Sequence, residues 1–174
     1  EAFGVKIGDL GGYIEKEENL SHYCDAWIDC YARVSGNALV SGNALVSGSA
    51  LISGNAKVSG NAWVYGNAWV YGDAWVYGDA EVHGYAEVCR DADVCRDADI
   101  YNSVHVLTIG PIGSRNDTTT FFRTKENIIK VKCGCFYGTI DEFLTKVELT
   151  HENNKYGRVY RLAVELAKAQ IELD

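Results

Sequence analysis

Alanine recurs every six residues from Ala26 to Ala98 without a miss, and two residues after each alanine stands Val or Ile, from Ile28 to Ile100. Thirteen hexads therefore run in unbroken register, most of them reading V-x-G-[N/D]-A-x. A period this strict restricts the chain to a repeat architecture, in which each unit buries its apolar face against the next. Ala and Val/Ile at spacing two share one side of an extended strand. The Gly-Asn or Gly-Asp pair between strands offers residues that tolerate the positive φ of a tight corner. One hexad makes one side of a prism and three make a coil of eighteen residues, so thirteen hexads predict a little over four coils. At ~4.8 Å between strands the stack would stand about 20 Å tall. A narrow three-sided interior has room for small Ala alternating with branched Val, and for little else.

These hexads resemble the hexapeptide-repeat family, whose members form left-handed parallel β-helices and usually trimerise. The resemblance covers a little under half of the chain and implies a mainly β protein: a left-handed parallel β-helix over residues 26–103, with three hexads per coil, assembled as a homotrimer. Residues 1–25 are expected to cap its N-terminal end, because a stack of parallel strands needs an atypical terminus to stop edge-to-edge growth. Leu20 in the alanine slot and His22 in the aliphatic slot extend the register only weakly. The chain opens at Glu1 and has no methionine, so its natural start is expected to have been trimmed.

Beyond residue 103 the register ends, and residues 104–174 read as a small α+β domain. A strand over 104–109 leads into a loop, Gly110 to Asp117. A hairpin follows, with strands 118–124 and 128–133 turning at Lys125-Glu126-Asn127. Thr139-Ile140-Asp141-Glu142 is a capping-box signal for a helix to Thr150. The loop His151 to Gly157 then leads to a second helix through Leu166, whose inward face would be Val159, Leu162, Ala163, Leu166 and Ala167.

The net charge of −8 is unevenly placed. Residues 1–103 carry six basic and fifteen acidic side chains, net −9, whereas residues 104–174 carry ten and nine, net +1. Duplex nucleic acid needs a broad basic surface, which excludes the repeat as such a binder and leaves only a local anion site in the C-terminal part. No apolar run approaches the roughly 20 residues that span a bilayer. Cys24 and Cys30, like Cys89 and Cys95, lie one hexad apart and so on neighbouring faces. Cys133 and Cys135 are too close along one strand to bridge. Reduced thiols, and with them a cytoplasmic setting, are expected.

The outward slots change along the stack. The residue between Ala and Val reads Trp27, Arg33, Leu39, Leu45, Leu51, Lys57, then Trp63, Trp69, Trp75, then Glu81, Glu87, Asp93, Asp99. The residue after Val becomes Tyr65, Tyr71, Tyr77, then His83, Cys89, Cys95. One coil thus carries Trp and Tyr on all three faces, a girdle (Trp63, Tyr65, Trp69, Tyr71, Trp75, Tyr77) of the kind that marks an interface.

The loop after Ile109 is the most site-like stretch. Gly110, Gly113, Ser114, Arg115 and Asn116 offer backbone N–H groups, a hydroxyl and a guanidinium, which suit phosphate or another anion. It lacks the Walker pattern. Thr118 and Thr119 follow, and Arg123, Lys130 and Lys132 are expected to share the solvent face of the hairpin while Ile129, Val131 and Cys133 turn inward. The polar loop His151 to Tyr156, Lys155 included, would complete a pocket, with Phe121 and Tyr156 stacking on a base. Acyltransferases of the hexapeptide-repeat family use a histidine base, for which His83 and His105 are the candidates here. No loop interrupts residues 26–100 to shape an acceptor site, and no orienting partner for His83 can be assigned. Cys133-x-Cys135 is too narrowly spaced for a zinc pair, so neither a metal nor a cofactor is expected.

The C-terminal segment, with Thr-Ile-Gly-Pro-Ile-Gly-Ser-Arg, Cys-Gly-Cys-Phe and Thr-Ile-Asp-Glu-Phe, is similar to a small module of phage and prophage hexapeptide-repeat proteins. That resemblance implies a non-enzymatic oligomer that sequesters a nucleotide-type, phosphorylated ligand, an anti-defence sponge for host immune signals. Two alternatives stand beside it: an acyltransferase, and a structural or adhesive trimer that docks another protein through its aromatic girdle.

Overall fold

Residues 2–173 are described by a computed structural model, with side chains from residue 3 onward. The chain forms two compact units, Glu1–Ser103 and Val104–Asp174.

The first unit is a parallel-strand β-solenoid of about five turns. Its strands are rungs of two or three residues, and from Trp27 onward neighbouring rungs pair in parallel at an offset of eighteen residues: Leu45 with Trp63, Trp63 with Glu81, Glu81 with Asp99. Three sheets result, one per side of the coil. Every alanine from Ala32 to Ala98 and every Val or Ile from Ile28 to Ile100 is buried. The corner glycines from Gly36 to Gly84 sit at φ between +62° and +75°. A Cβ on Gly54 would come 2.9 Å from the Gly72 nitrogen, so the close approach of coils also requires glycine there. The asparagines beside them have another job than the corner φ. Asn37 donates to Asn55 and Asn55 to Asp73 (3.1 and 2.9 Å), and Asn43, Asn61 and Asp79 repeat the ladder at 3.2 and 2.9 Å.

The stack is taller than thirteen hexads predict, because the N-terminal segment joins it. Tyr13–Ile14 pairs in parallel with Arg33–Val34, and Leu20 bridges to Val40. Asn19 is fully buried and its amide donates to the carbonyls of Gly36 and Ala38. His22, assigned above to an inward slot, is exposed and lies 3.9 Å from Glu17. The hexad frame slips before residue 26, so the buried polar group is Asn19.

The second unit is a four-stranded antiparallel sheet, Val106–Ile112, Asp117–Arg123, Ile129–Cys133 and Phe136–Thr139 in chain order, with helices α1 (Ile140–His151) and α2 (Lys155–Gln170) packed on it. Thr139 caps α1 in a reciprocal box with Glu142, as the sequence signals. Asn154 caps α2 by accepting from the N–H groups of Tyr156 and Gly157. The inward face of α2 is rotated from the expected one. Tyr160, Ala163, Val164 and Ala167 are buried, whereas Leu162 and Leu166 are 70% and 51% exposed. Gly157 lies against the Glu152 carbonyl at the end of α1, and the buried stripe of α2 runs through Tyr160, Val164 and Ala167.

Because the coil interior is filled by alanine at every turn, it cannot take a larger side chain without displacing the rungs. Ala68→Leu should destabilise the protein by about 1–3 kcal/mol or prevent folding, read by urea unfolding beside the parent. A midpoint unchanged by the substitution would contradict the packed interior.

Candidate functional site

A cleft of ≈ 260 Å³ opens in the second unit between the turn Gly113–Asn116, the turn around Gly134 and the facing ends of the two helices. Its floor is aromatic and aliphatic (Phe136, Phe143, Val147, Tyr160), and its rim holds three basic groups, Arg115, Lys146 and His151, with Ser114 beside them. Cys133 and Cys135 complete one wall. The tight turn is made possible by local chemistry. Gly113 has φ +73° and Asn116 φ +53°, and the Asn116 N–H donates to the Gly113 carbonyl at 3.3 Å. A Cβ on Gly113 would fall 1.8 Å from the Tyr160 hydroxyl oxygen, so this glycine is fixed by the phenol packed against it.

Tyr160 is the centre of the floor. It is 5% exposed, meets Phe143 edge-on at 5.4 Å and lies 5.7 Å from His151. The Cys133 thiol donates to its oxygen at 3.9 Å and itself accepts from the Thr119 hydroxyl at 3.2 Å. Burial, and then the neighbouring Cys133, push the Tyr160 phenol up to about 12, with Arg115 pulling the other way. Arg115 is 62% exposed and 3.8 Å from Asp117, a loose surface pair that a tighter anion can displace. At this size the cleft suits one small ligand or one end of a nucleotide, with an apolar face for a ring and cations for a phosphate.

Of the residues singled out in the sequence for an anion site, Ser114, Arg115 and His151 line this cleft. Gly113 abuts its floor through Tyr160, and Tyr156 packs edge-on against His151 at 5.9 Å. The others are placed elsewhere. The expected loop shrinks to four residues, because Gly110, Pro111 and Ile112 continue the first strand across a bulge. Thr119 is buried, and Thr118 packs beside Gly110. Phe121 is wholly buried in the core, edge-on to Phe143, where no ligand ring can stack on it. The basic hairpin is split between two faces. Arg123 pairs with Ile129, whereas Lys130 and Lys132 pair with Phe122 and Thr120, and directly opposed residues share a face. Arg123 is accordingly 6% exposed with its Nε donating to Asn127. Lys130 lies over the Tyr137 ring, and Lys132 donates to the Gly134 carbonyl. Lys155 is exposed at the start of α2 and Asn116 closes the turn, neither of them lining the cleft. His151 belongs to the polar loop expected to complete a pocket, whereas Lys146 and Tyr160 were missed. They lie on two helices, and only the tertiary fold brings them to Arg115.

On the solenoid, Trp63, Trp69 and Trp75 are each nearly half exposed, one per face of a single coil. Trp69 and Tyr71 border an apolar groove of ≈ 410 Å³ with Leu51 and Ser53. Burial, and then Glu81, raise the Tyr65 phenol, and burial does the same to Tyr77. Above Tyr65, His83 Nε2 lies 2.9 Å from Asp99 Oδ1, the carboxylate partner that the sequence could not assign. His105 is 2% exposed and out of reach of a substrate.

A family model described as YdcK beta solenoid repeat matches residues 32–48, 40–54, 50–66, 56–72 and 62–78. All five stretches lie within the solenoid, and they support a repeat β-helix family. No curated protein matches the chain, and no solved structure does.

The raised Tyr160 phenol has a consequence at high pH. A phenol that keeps its proton longer when folded stabilises the fold fully below its unfolded value near 10, and that contribution is lost as pH rises through about 12. Spectrophotometric titration should show one tyrosine of the parent ionising near that upper value and absent from Tyr160→Phe. A parent and variant differing by an ordinary tyrosine would contradict the buried placement.

Proposed function

We propose that this protein binds a small anionic, nucleotide-type ligand in the cleft of its second unit. The observation that supports it best is the convergence of Arg115, Lys146 and His151 on an aromatic and aliphatic floor. Two cations and an imidazole over such a floor match a molecule with a phosphate at one end and a flat ring at the other. Ser114 and the N–H groups of the turn add neutral donors to the phosphate end. The solenoid serves as a stem. Its Trp/Tyr girdle is the surface through which copies would associate, as a homotrimer if the resemblance to hexapeptide-repeat proteins extends to assembly. Association would array several clefts on one particle, which suits retention of a ligand rather than its conversion. In the setting implied by the phage resemblance, the ligand is a host immune signalling nucleotide held away from its receptor in the host cytoplasm.

Thermal-shift measurement against a panel of mono-, di- and cyclic nucleotides tests this reading. A binder melts higher with its ligand in proportion to the logarithm of ligand concentration, and denaturation returns the ligand intact by mass spectrometry. Arg115→Ala and Lys146→Ala should each weaken binding by about tenfold or more, as loss of a charge-assisted contact does. Equal affinity in both variants would displace the site from this cleft, and a chemically altered ligand would replace binding by catalysis.

A further inference from the structure

We propose that Glu81, His83 and Asp99 form a site for a divalent transition-metal ion on one outer face of the solenoid. Glu81 and Asp99 are direct partners on adjacent parallel rungs, and His83 follows Glu81 by two residues on the same side of the strand. One ligand atom from each residue can be chosen so that all three lie within 4.8 Å of one another. Among the described residues this is the one such trio. Nitrogen and oxygen ligands at about 2.0–2.2 Å from a zinc-type ion stand roughly 3–3.5 Å apart, so small side-chain rotations close the site.

The surroundings are those of a prepared ligand set. The His83 ring is stacked on Tyr65 at 4.7 Å with an interplanar angle of 3°, and Tyr101 lies 5.8 Å from it. These rings fix the imidazole with Nε2 towards Asp99, 2.9 Å away. The Tyr65 hydroxyl donates to Glu81 at 3.3 Å, the kind of outer contact that orients a ligating carboxylate. The side chains of His83 and Asp99 are 24% and 20% exposed, enough to admit an ion and leave it water.

Electrostatics favour a dication. Two carboxylates directly opposed on neighbouring strands repel each other, and a 2+ ion with a neutral imidazole balances them. One imidazole with two carboxylates selects the zinc, manganese and iron class over magnesium and calcium, which take oxygen donors. The equivalent slots on the other faces hold Glu87 with Cys89 and Asp93 with Cys95, without the histidine. This inference is independent of the anion-binding reading, since the trio lies in the solenoid.

The test uses the 174-residue chain stripped with chelator, titrated with Zn²⁺ by calorimetry and with Co²⁺ by absorption. One ion per chain is expected, with a Co²⁺ spectrum free of thiolate charge transfer. At a hundredfold excess over Kd the melting midpoint should rise by roughly 5–10 °C. His83→Ala and Asp99→Asn should each weaken binding at least about tenfold and abolish the rise, while their metal-free melting stays near that of the metal-free parent. Absence of saturable binding would leave the trio as side-chain contacts within the solenoid and overturn the proposal. Undiminished binding in both variants, or a thiolate band, would place the ion on the cysteines and overturn it equally.

Discussion

One peptide ladder places every outward group of the solenoid. On a single face the Leu45 N–H donates to Ala62, Trp63 to Ala80 and Glu81 to Ala98, at 3.0, 2.9 and 2.8 Å. The alanines at these junctions leave no slack for one coil to slide on another. Side chains eighteen residues apart are thereby stacked at strand spacing, whatever their chemistry. The column Leu45, Trp63, Glu81, Asp99 runs from aliphatic to aromatic to acidic with no change in the backbone beneath it. The stacked Tyr65 and His83 rings and the His83–Asp99 contact follow from that register.

The second unit obeys a different constraint, the packing of two helices on one sheet. Its cleft exists because Tyr160 fills the space that a side chain on residue 113 would need. The phenol thus sets both the sharpness of the turn carrying Ser114 and Arg115 and the depth of the floor below them. Phe143 and Val147 on α1 and Tyr160 on α2 belong to the hydrophobic core and to the floor at once. A ligand there would lie directly on the packed interior.

What was legible in the sequence divides along the same line. The solenoid could be read because its inward slots obey a local rule: Ala and Val two apart, six by six, with glycine at the corners. The capping box at Thr139 and the hairpin turn at Asn127 were legible for the same reason, being signals within a few residues. The His83–Asp99 contact spans an eighteen-residue coil less two positions, a separation at which the local spacing of outward slots carries no signal. In the second unit the missing information was tertiary. Strand pairing put Arg123 on the face opposite Lys130, and helix packing turned Tyr160 in and Leu162 out. Neither choice is encoded in a run of neighbouring residues. Ser114, Arg115 and His151 stand in loops of polar composition, but their companion Lys146 is a lysine of a helix more than thirty residues from Arg115.

The corner-and-rung unit of six residues also bears on how such a stem can change length. Losing one hexad, Arg90 to Cys95 for instance, leaves Ala and Val in every inward slot, and the interior does not register the loss. The exterior does. Everything after the deletion moves round by one side of the prism, so Asp99 leaves the column of Glu81 and His83 for the neighbouring one. Only insertions or deletions of eighteen residues preserve both inside and outside. The backbone therefore tolerates length variation in steps of six, while any chemistry built across two coils permits it only in steps of three times that size.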